Sequence, residues 1–260
     1  MRIARFLDDD GRPHYGEPID DRNARIIDGD LFSSFRVTER TARIALLLPP
    51  AQPPNIFAIG RNYRAHAEEL GNQAPEQPLV FMKATTSLLA PGDAIQLPPP
   101  APEMVDYEAE LAIVIRKQAR EIAPADALSH VLGYTCANDV SARDCQKNDK
   151  QWARAKGFDT FCPLGPWLVT ADSLNPDNCA IRTRLNGEVM QNANTNQMIH
   201  NCAALISYLS HQFTLLPGTL ILTGTPEGVG LARTPPVFLK PGDRVEVEID
   251  GIGTLSNSVG

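Results

Sequence analysis

Apolar positions in this chain come mostly in short runs broken by turn residues, a spacing that suits strands better than helices. The runs Asn55–Ile59, Leu79–Met82, Leu111–Ile115, Tyr134–Ala137, Trp167–Thr170, Ile181–Leu185, Leu220–Thr223 and Val245–Ile249 predict strands. Helical spacing predicts helices over Tyr63–Leu70, Ser141–Lys147 and Asn201–His211. Asn186-Gly187, between two strand-like runs, is a type I′ hairpin signal. Strands and helices do not alternate as a doubly wound sheet requires, so the class is α+β and mainly β. Residues 1–50 join short apolar pieces through Asp10-Gly11 and Asp28-Gly29 and read as a small β-rich N-terminal domain. Pro49, Pro50, Pro53 and Pro54 then exclude a continuing helix or central strand, which marks a linker before a larger domain over residues 55–260.

Composition narrows the partners. A length of 260 residues supports a full-sized core, and five cysteines without a C-x-x-C pair indicate neither a disulfide framework nor a zinc site. A net charge of −7, spread along the chain, argues against nucleic acid or an anionic membrane. The N-terminal residues lack an apolar signal core, and no run is long enough to span a bilayer, so a cytoplasmic location is expected. A small molecule is the expected partner.

The densest chemistry lies in Asp106-Tyr107-Glu108-Ala109-Glu110, which leads into the apolar run Leu111–Ile115. Strand alternation puts Glu108 and Glu110 on one side, with Cα atoms roughly 6.5 to 7 Å apart. Two like charges entering a buried strand repel, and a hard divalent cation relieves that repulsion. Asp139 follows about thirty residues later, where an apolar run ends and a helix is predicted. An aspartate there can be a helix N-cap, but beside Glu108 and Glu110 it completes an all-oxygen triad suited to Mg²⁺ or Mn²⁺. Glu103 and Asp106 compete as ligands and read as solvated loop residues.

Other segments carry secondary candidates. His66 and Glu69 share one face of the predicted first helix, as a surface ion pair or as a dyad that activates water. Lys83 and Lys156 end apolar or glycine-flanked stretches where a cation could hold a carboxylate or an enolate. Thr223–Gly230 is glycine-rich and reads as a tight turn or a loop whose N–H groups approach an anion, but it lacks the Lys-Ser/Thr of a nucleotide-binding loop.

Together these segments resemble the fumarylacetoacetate hydrolase family over residues 55–260. The matching pieces are Gly60-Arg61-Asn62-Tyr63 with His66, Glu108-x-Glu110, Asn138–Asp144, Lys156–Asp159, Asn186-Gly187-Glu188 and Thr223–Pro226. Gln151-Trp152, Asn194–Met198 and Pro235–Lys240 look most like the domain-containing type 2 group, for which oxaloacetate tautomerisation has been proposed. The resemblance implies a mixed β-sandwich roll, usually a homodimer, with Glu108, Glu110 and Asp139 holding Mg²⁺ or Mn²⁺. It also implies substrate contacts from Lys156, Arg143, Gln146 and Thr225, and a mobile lid bearing His66 and Glu69.

The expected substrate is a 2-oxo acid held as its enolate. Retention of His66 and Glu69 ranks hydrolysis of a carbon–carbon bond in an acylpyruvate first. The type 2 likeness points instead to an oxaloacetate tautomerase, decarboxylase or related isomerase. A metal-stabilised binding protein is the reading from another class, and Lys156, Arg143 and Thr225 count against it, because a structural ion needs no anion-binding groups around it.

Overall fold

Two mixed sheets organise the protein, whose residues 1–260 are described by a computed structural model. The larger sheet runs, in spatial order, Phe35–Arg43, Asn23–Gly29, Pro13–Pro18, Arg2–Leu7, Cys162–Thr170, Val131–Asn138, Ala109–Ile115, Leu220–Leu222, Ile56–Gly60 and Leu79–Lys83. Along this path every pair is antiparallel except Leu220–Leu222 with Ile56–Gly60. The second sheet orders Glu188–Asn194, Ala180–Leu185, Arg244–Ile249, Gly253–Val259 and Ala94–Ile95. Asn186 and Gly187 both take positive φ, 52° and 87°, as the predicted type I′ turn requires.

The strand Ala109–Ile115 shows why its sequence is apolar throughout. Ala109, Leu111, Ile113 and Ile115 face the second sheet and the helix Cys202–Gln212, in one cluster with Ile181, Val247 and Leu205. Ala112 and Val114 face the other way, into a cluster with Ile3, Ile27, Leu220 and Leu222. Both faces are buried, so alternation disappears from the sequence. Glu108 and Glu110 share the parity of Ala112 and Val114, beyond the end of that second cluster. The N-terminal strands enter the same sheet, since Arg2 and Ile3 pair with Val169 and Leu168.

Helix boundaries differ from expectation in one informative place. Ser141-Ala142 is not helical but pairs as a short strand with Val105-Asp106, and the helix is Arg143–Asn148. The first helix is Arg64–Glu69 and the last Cys202–Gln212, capped by the Asn201 side chain accepting from the Ala204 N–H at 3.0 Å. Lys156 lies on a further short helix, Ala153–Gly157, that the apolar pattern does not signal.

Candidate active site

Adjacent strand ends bring the acid triad together. Ala109 pairs with Asn138 in register, so Glu108 and Glu110 on one strand face Asp139 just past the end of its neighbour. The backbone closes the corner, with the Asp139 N–H donating to the Glu108 carbonyl at 2.8 Å and the Glu108 N–H to the Asn138 side chain at 2.9 Å. One oxygen from each of Glu108, Glu110 and Asp139 lies within 4.8 Å of the others, and all three residues are buried. Asp139 is not a helix cap, because the following helix starts after Ala142 without a side-chain cap.

Cations surround the triad. The Lys156 ammonium donates to Glu108 Oε2 and Asp139 Oδ2, each at 2.8 Å, and Lys83 donates to Asp139 Oδ1 at 2.5 Å. Lys83 also donates to the Lys156 carbonyl, so it braces the site from behind. Arg143 pairs with Glu108 Oε1 through Nη1 at 2.8 Å. Burial alone would raise the Glu108 carboxyl, but Lys156 and Arg143 outweigh it and hold the group at about 2. Burial would likewise lower the Lys156 ammonium, and Asp139 and Glu108 reverse that, raising it.

Glu110 is the exception. Burial, then repulsion from Asp139 and Glu108, pushes its carboxyl well above the ordinary range, and its Oε2 accepts only the Gly224 N–H, at 2.6 Å. The four buried carboxyl groups of Asp106, Glu108, Glu110 and Asp139 face three buried cations, Lys83, Arg143 and Lys156, so with every carboxyl ionised the cluster carries one uncompensated negative charge, the same repulsion that favours the neutral form of Glu110. Hard oxygen donors, clustered and short of one positive charge, fit Mg²⁺ or Mn²⁺.

Beside Glu108, the one triad carboxylate on its wall, opens a cavity of about 360 Å³ lined also by His66, Arg143, Gln146, Lys156 and Thr225 among others. His66 is buried, and its Nδ1 lies 2.8 Å from Glu69 Oε1. Glu69 does not line the cavity; its second oxygen accepts the Gly228 N–H at 2.8 Å and ties the helix to the glycine-rich loop. That leaves Nε2 as the imidazole nitrogen without a protein partner. Gln191 orients Thr225, donating to its Oγ1 at 2.8 Å while accepting from the Ala109 N–H at 2.9 Å. The loop bends at Gly224, where φ is +99° and a Cβ would lie 2.7 Å from the Asn62 Cβ, so no other residue fits without movement.

The reading of Asp106 as a solvated loop residue is incorrect. Its side chain is fully buried, and Oδ1 accepts the N–H groups of Tyr107 and Gly230 at 2.9 and 2.7 Å. Oδ2 accepts from Leu231 N–H at 3.0 Å and from Arg143 Nε at 2.8 Å. Asp106 is therefore the anchor of Arg143 and not a member of the triad; Glu103 is exposed, as expected. Lys83 stands behind the triad and does not line the cavity. Arg61 and Trp152 stand in the sequence only as parts of matching motifs and Gln191 carries no signal there; long-range packing alone puts the first two on the cavity wall and Gln191 behind Thr225.

The family model described as fumarylacetoacetate (FAA) hydrolase C-terminal matches residues 55–260, and one described as Rv2993c-like, N-terminal matches residues 1–50. The chain belongs to the fumarylacetoacetate hydrolase family. It is 52% identical over 221 residues to the oxaloacetate tautomerase fahd2, mitochondrial, of Xenopus laevis, covering 84% of this chain and 69% of that relative. Among solved structures, 2-hydroxyhepta-2,4-diene-1,7-dioate isomerase from Mycobacterium marinum matches with a TM-score of 0.86 at 40% identity, covering 100% of this chain and 98% of that one. Fumarylpyruvate hydrolase from Pseudomonas aeruginosa, in complex with Mn²⁺ and pyruvate, matches with a TM-score of 0.73 at 32% identity, covering 85% of this chain and 92% of that one. No helix is long and apolar enough to cross a membrane.

Proposed function

We propose that this protein is an oxaloacetate keto–enol tautomerase, with Glu108, Glu110 and Asp139 as the ligands of a Mg²⁺ or Mn²⁺ ion. The observation that carries the reading is the 52% identity to a relative named as that enzyme. When bound, the ion supplies Lewis-acid charge to the oxygens of a 2-oxo acid. The ammonium of Lys156, kept charged by Glu108 and Asp139, stabilises negative charge that develops on the substrate's keto oxygen. Arg143, Gln146 and the Thr225 hydroxyl orient the substrate's oxygens from the cavity wall. His66, with Nδ1 held by Glu69, uses Nε2 to take the proton from carbon 3 and then gives that proton up to oxygen 2, so one proton moves from carbon to oxygen and the imidazole returns to its starting state.

Acylpyruvate hydrolysis, expected first from the lid dyad, is the second reading; the His66–Glu69 pair and the likeness to fumarylpyruvate hydrolase favour it. Ultraviolet absorbance of the enol distinguishes the two. Wild type with Mg²⁺ is expected to speed interconversion of the oxaloacetate tautomers, His66→Ala to lose most of that rate, and acetylpyruvate and fumarylpyruvate to remain uncleaved. Cleavage of an acylpyruvate without acceleration of tautomerisation would replace the tautomerase with the hydrolase.

A further inference from the structure

Among the cations of the cavity, most are already committed. Lys156 donates to two carboxylates, and Arg143 is held by Asp106, Glu108 and Gln146. Arg61 lines the same cavity and pairs with no carboxylate; its guanidinium lies 5.8 Å from the centroid of the Trp152 ring. Two features fix that arrangement. Trp152 packs edge-on against Phe81 at 5.4 Å and lies so close to the strand end that a Cβ on Gly60 would come within 2.7 Å of its ring. Arg61 takes a left-handed backbone conformation, φ 56°, uncommon outside glycine, between Gly60 and an Asn62 whose side chain bonds both His200 and Thr223.

We infer that Arg61, propped on the Trp152 ring, is the clamp for the second carboxylate of a dicarboxylic 2-oxo acid and sets selectivity against monocarboxylic analogues. The inference deepens the tautomerase reading and rests on it for the orientation of the substrate. A guanidinium stacked on an aromatic face keeps its N–H edge free, and that edge matches a carboxylate in bidentate geometry. With the 2-oxo acid end of oxaloacetate at Lys156 and the triad, its far carboxylate needs a cation elsewhere on the cavity wall. Arg61 and Lys147 are the two without acidic partners; Lys147 is exposed, whereas Arg61 is partly buried and held in place.

The test is calorimetric binding, in the presence of Mg²⁺, of a matched pair of stable 2-hydroxy acids, malate and 2-hydroxybutanoate, which differ in a carboxylate against a methyl. Wild type is expected to bind malate more tightly. Arg61→Asn, chosen because asparagine tolerates the left-handed backbone, is expected to weaken malate by about ten- to hundredfold, the range for a charge-assisted pair. It should leave 2-hydroxybutanoate within twofold. Arg61→Lys should recover only part of the loss, and Lys147→Ala should change neither ligand. Equal binding of the two acids by wild type, equal weakening of both by Arg61→Asn, or loss of malate selectivity in Lys147→Ala would overturn the clamp alone. Failure of wild type to bind either acid would remove the 2-oxo acid site and the clamp with it.

Discussion

Replacing Asp106 with asparagine is the sharpest test of how the site is held. The side chain keeps its shape but loses its charge, and one oxygen becomes an amide nitrogen that cannot accept a hydrogen bond. Each Asp106 oxygen faces two donors, Tyr107 and Gly230 N–H on one side and Leu231 N–H and Arg143 Nε on the other. Either orientation of the amide therefore strands two buried donors, at about 1–3 kcal/mol each. Removing one partner from a buried ion pair independently suggests about 3–5 kcal/mol. The two estimates overlap, and at roughly 2 °C per kcal/mol for a chain of this length the melting temperature should fall by about 6 to 10 °C. Thermal unfolding followed by circular dichroism reads this directly, with Glu103→Gln, on the exposed neighbour, as the control expected to move little. A melting temperature for Asp106→Asn within about 2 °C of wild type would refute the anchoring argument.

Four further outcomes are expected. Glu110 has a raised carboxyl pKa, so in EDTA its contribution to stability is present below its ordinary value of 4.5 and is lost as pH rises through the folded value. Glu110→Gln should therefore melt higher than wild type in EDTA at pH 8, by a margin that shrinks toward pH 5; the opposite trend would contradict the uncompensated charge. Saturating Mg²⁺ should stabilise wild type, by about 2.7 kcal/mol at one hundred times Kd, and should not stabilise Glu110→Gln, as read by the melting shift. Gly224→Ala, with φ of +99° and a 2.7 Å approach to Asn62, should lose at least about 1–2 kcal/mol in a denaturant titration, and unchanged stability would show that the loop relaxes freely. Gln191→Leu should raise KM more than it lowers kcat, because it frees the Thr225 hydroxyl; a fall in kcat alone would assign Gln191 elsewhere.

Much of the protein is legible in the order of its residues. Alternation and turn chemistry are local, so the predicted strands, the Asn186-Gly187 hairpin and the helix after Asn201 recur in the structure. The acid triad is legible for a similar reason: Glu108 and Glu110 share a face by the geometry of one strand, and Asp139 ends a second apolar run. What local pattern cannot carry is the identity of a partner far along the chain. Asp106 has the sequence surroundings of a loop acid, and only the return of Gly230, Leu231 and Arg143 makes it a buried anchor. Lys83 and Lys156 look alike as lone lysines, yet packing puts one behind the triad and the other at the cavity. The sequence by itself determined the strands, the turns and the oxygen-rich character of the centre, because these follow from backbone periodicity and side-chain chemistry. The tertiary structure decided which charges are compensated, which carboxylate is left without a cation, and which arginine on the cavity wall has no carboxylate partner, because charge balance depends on distances between residues remote in sequence.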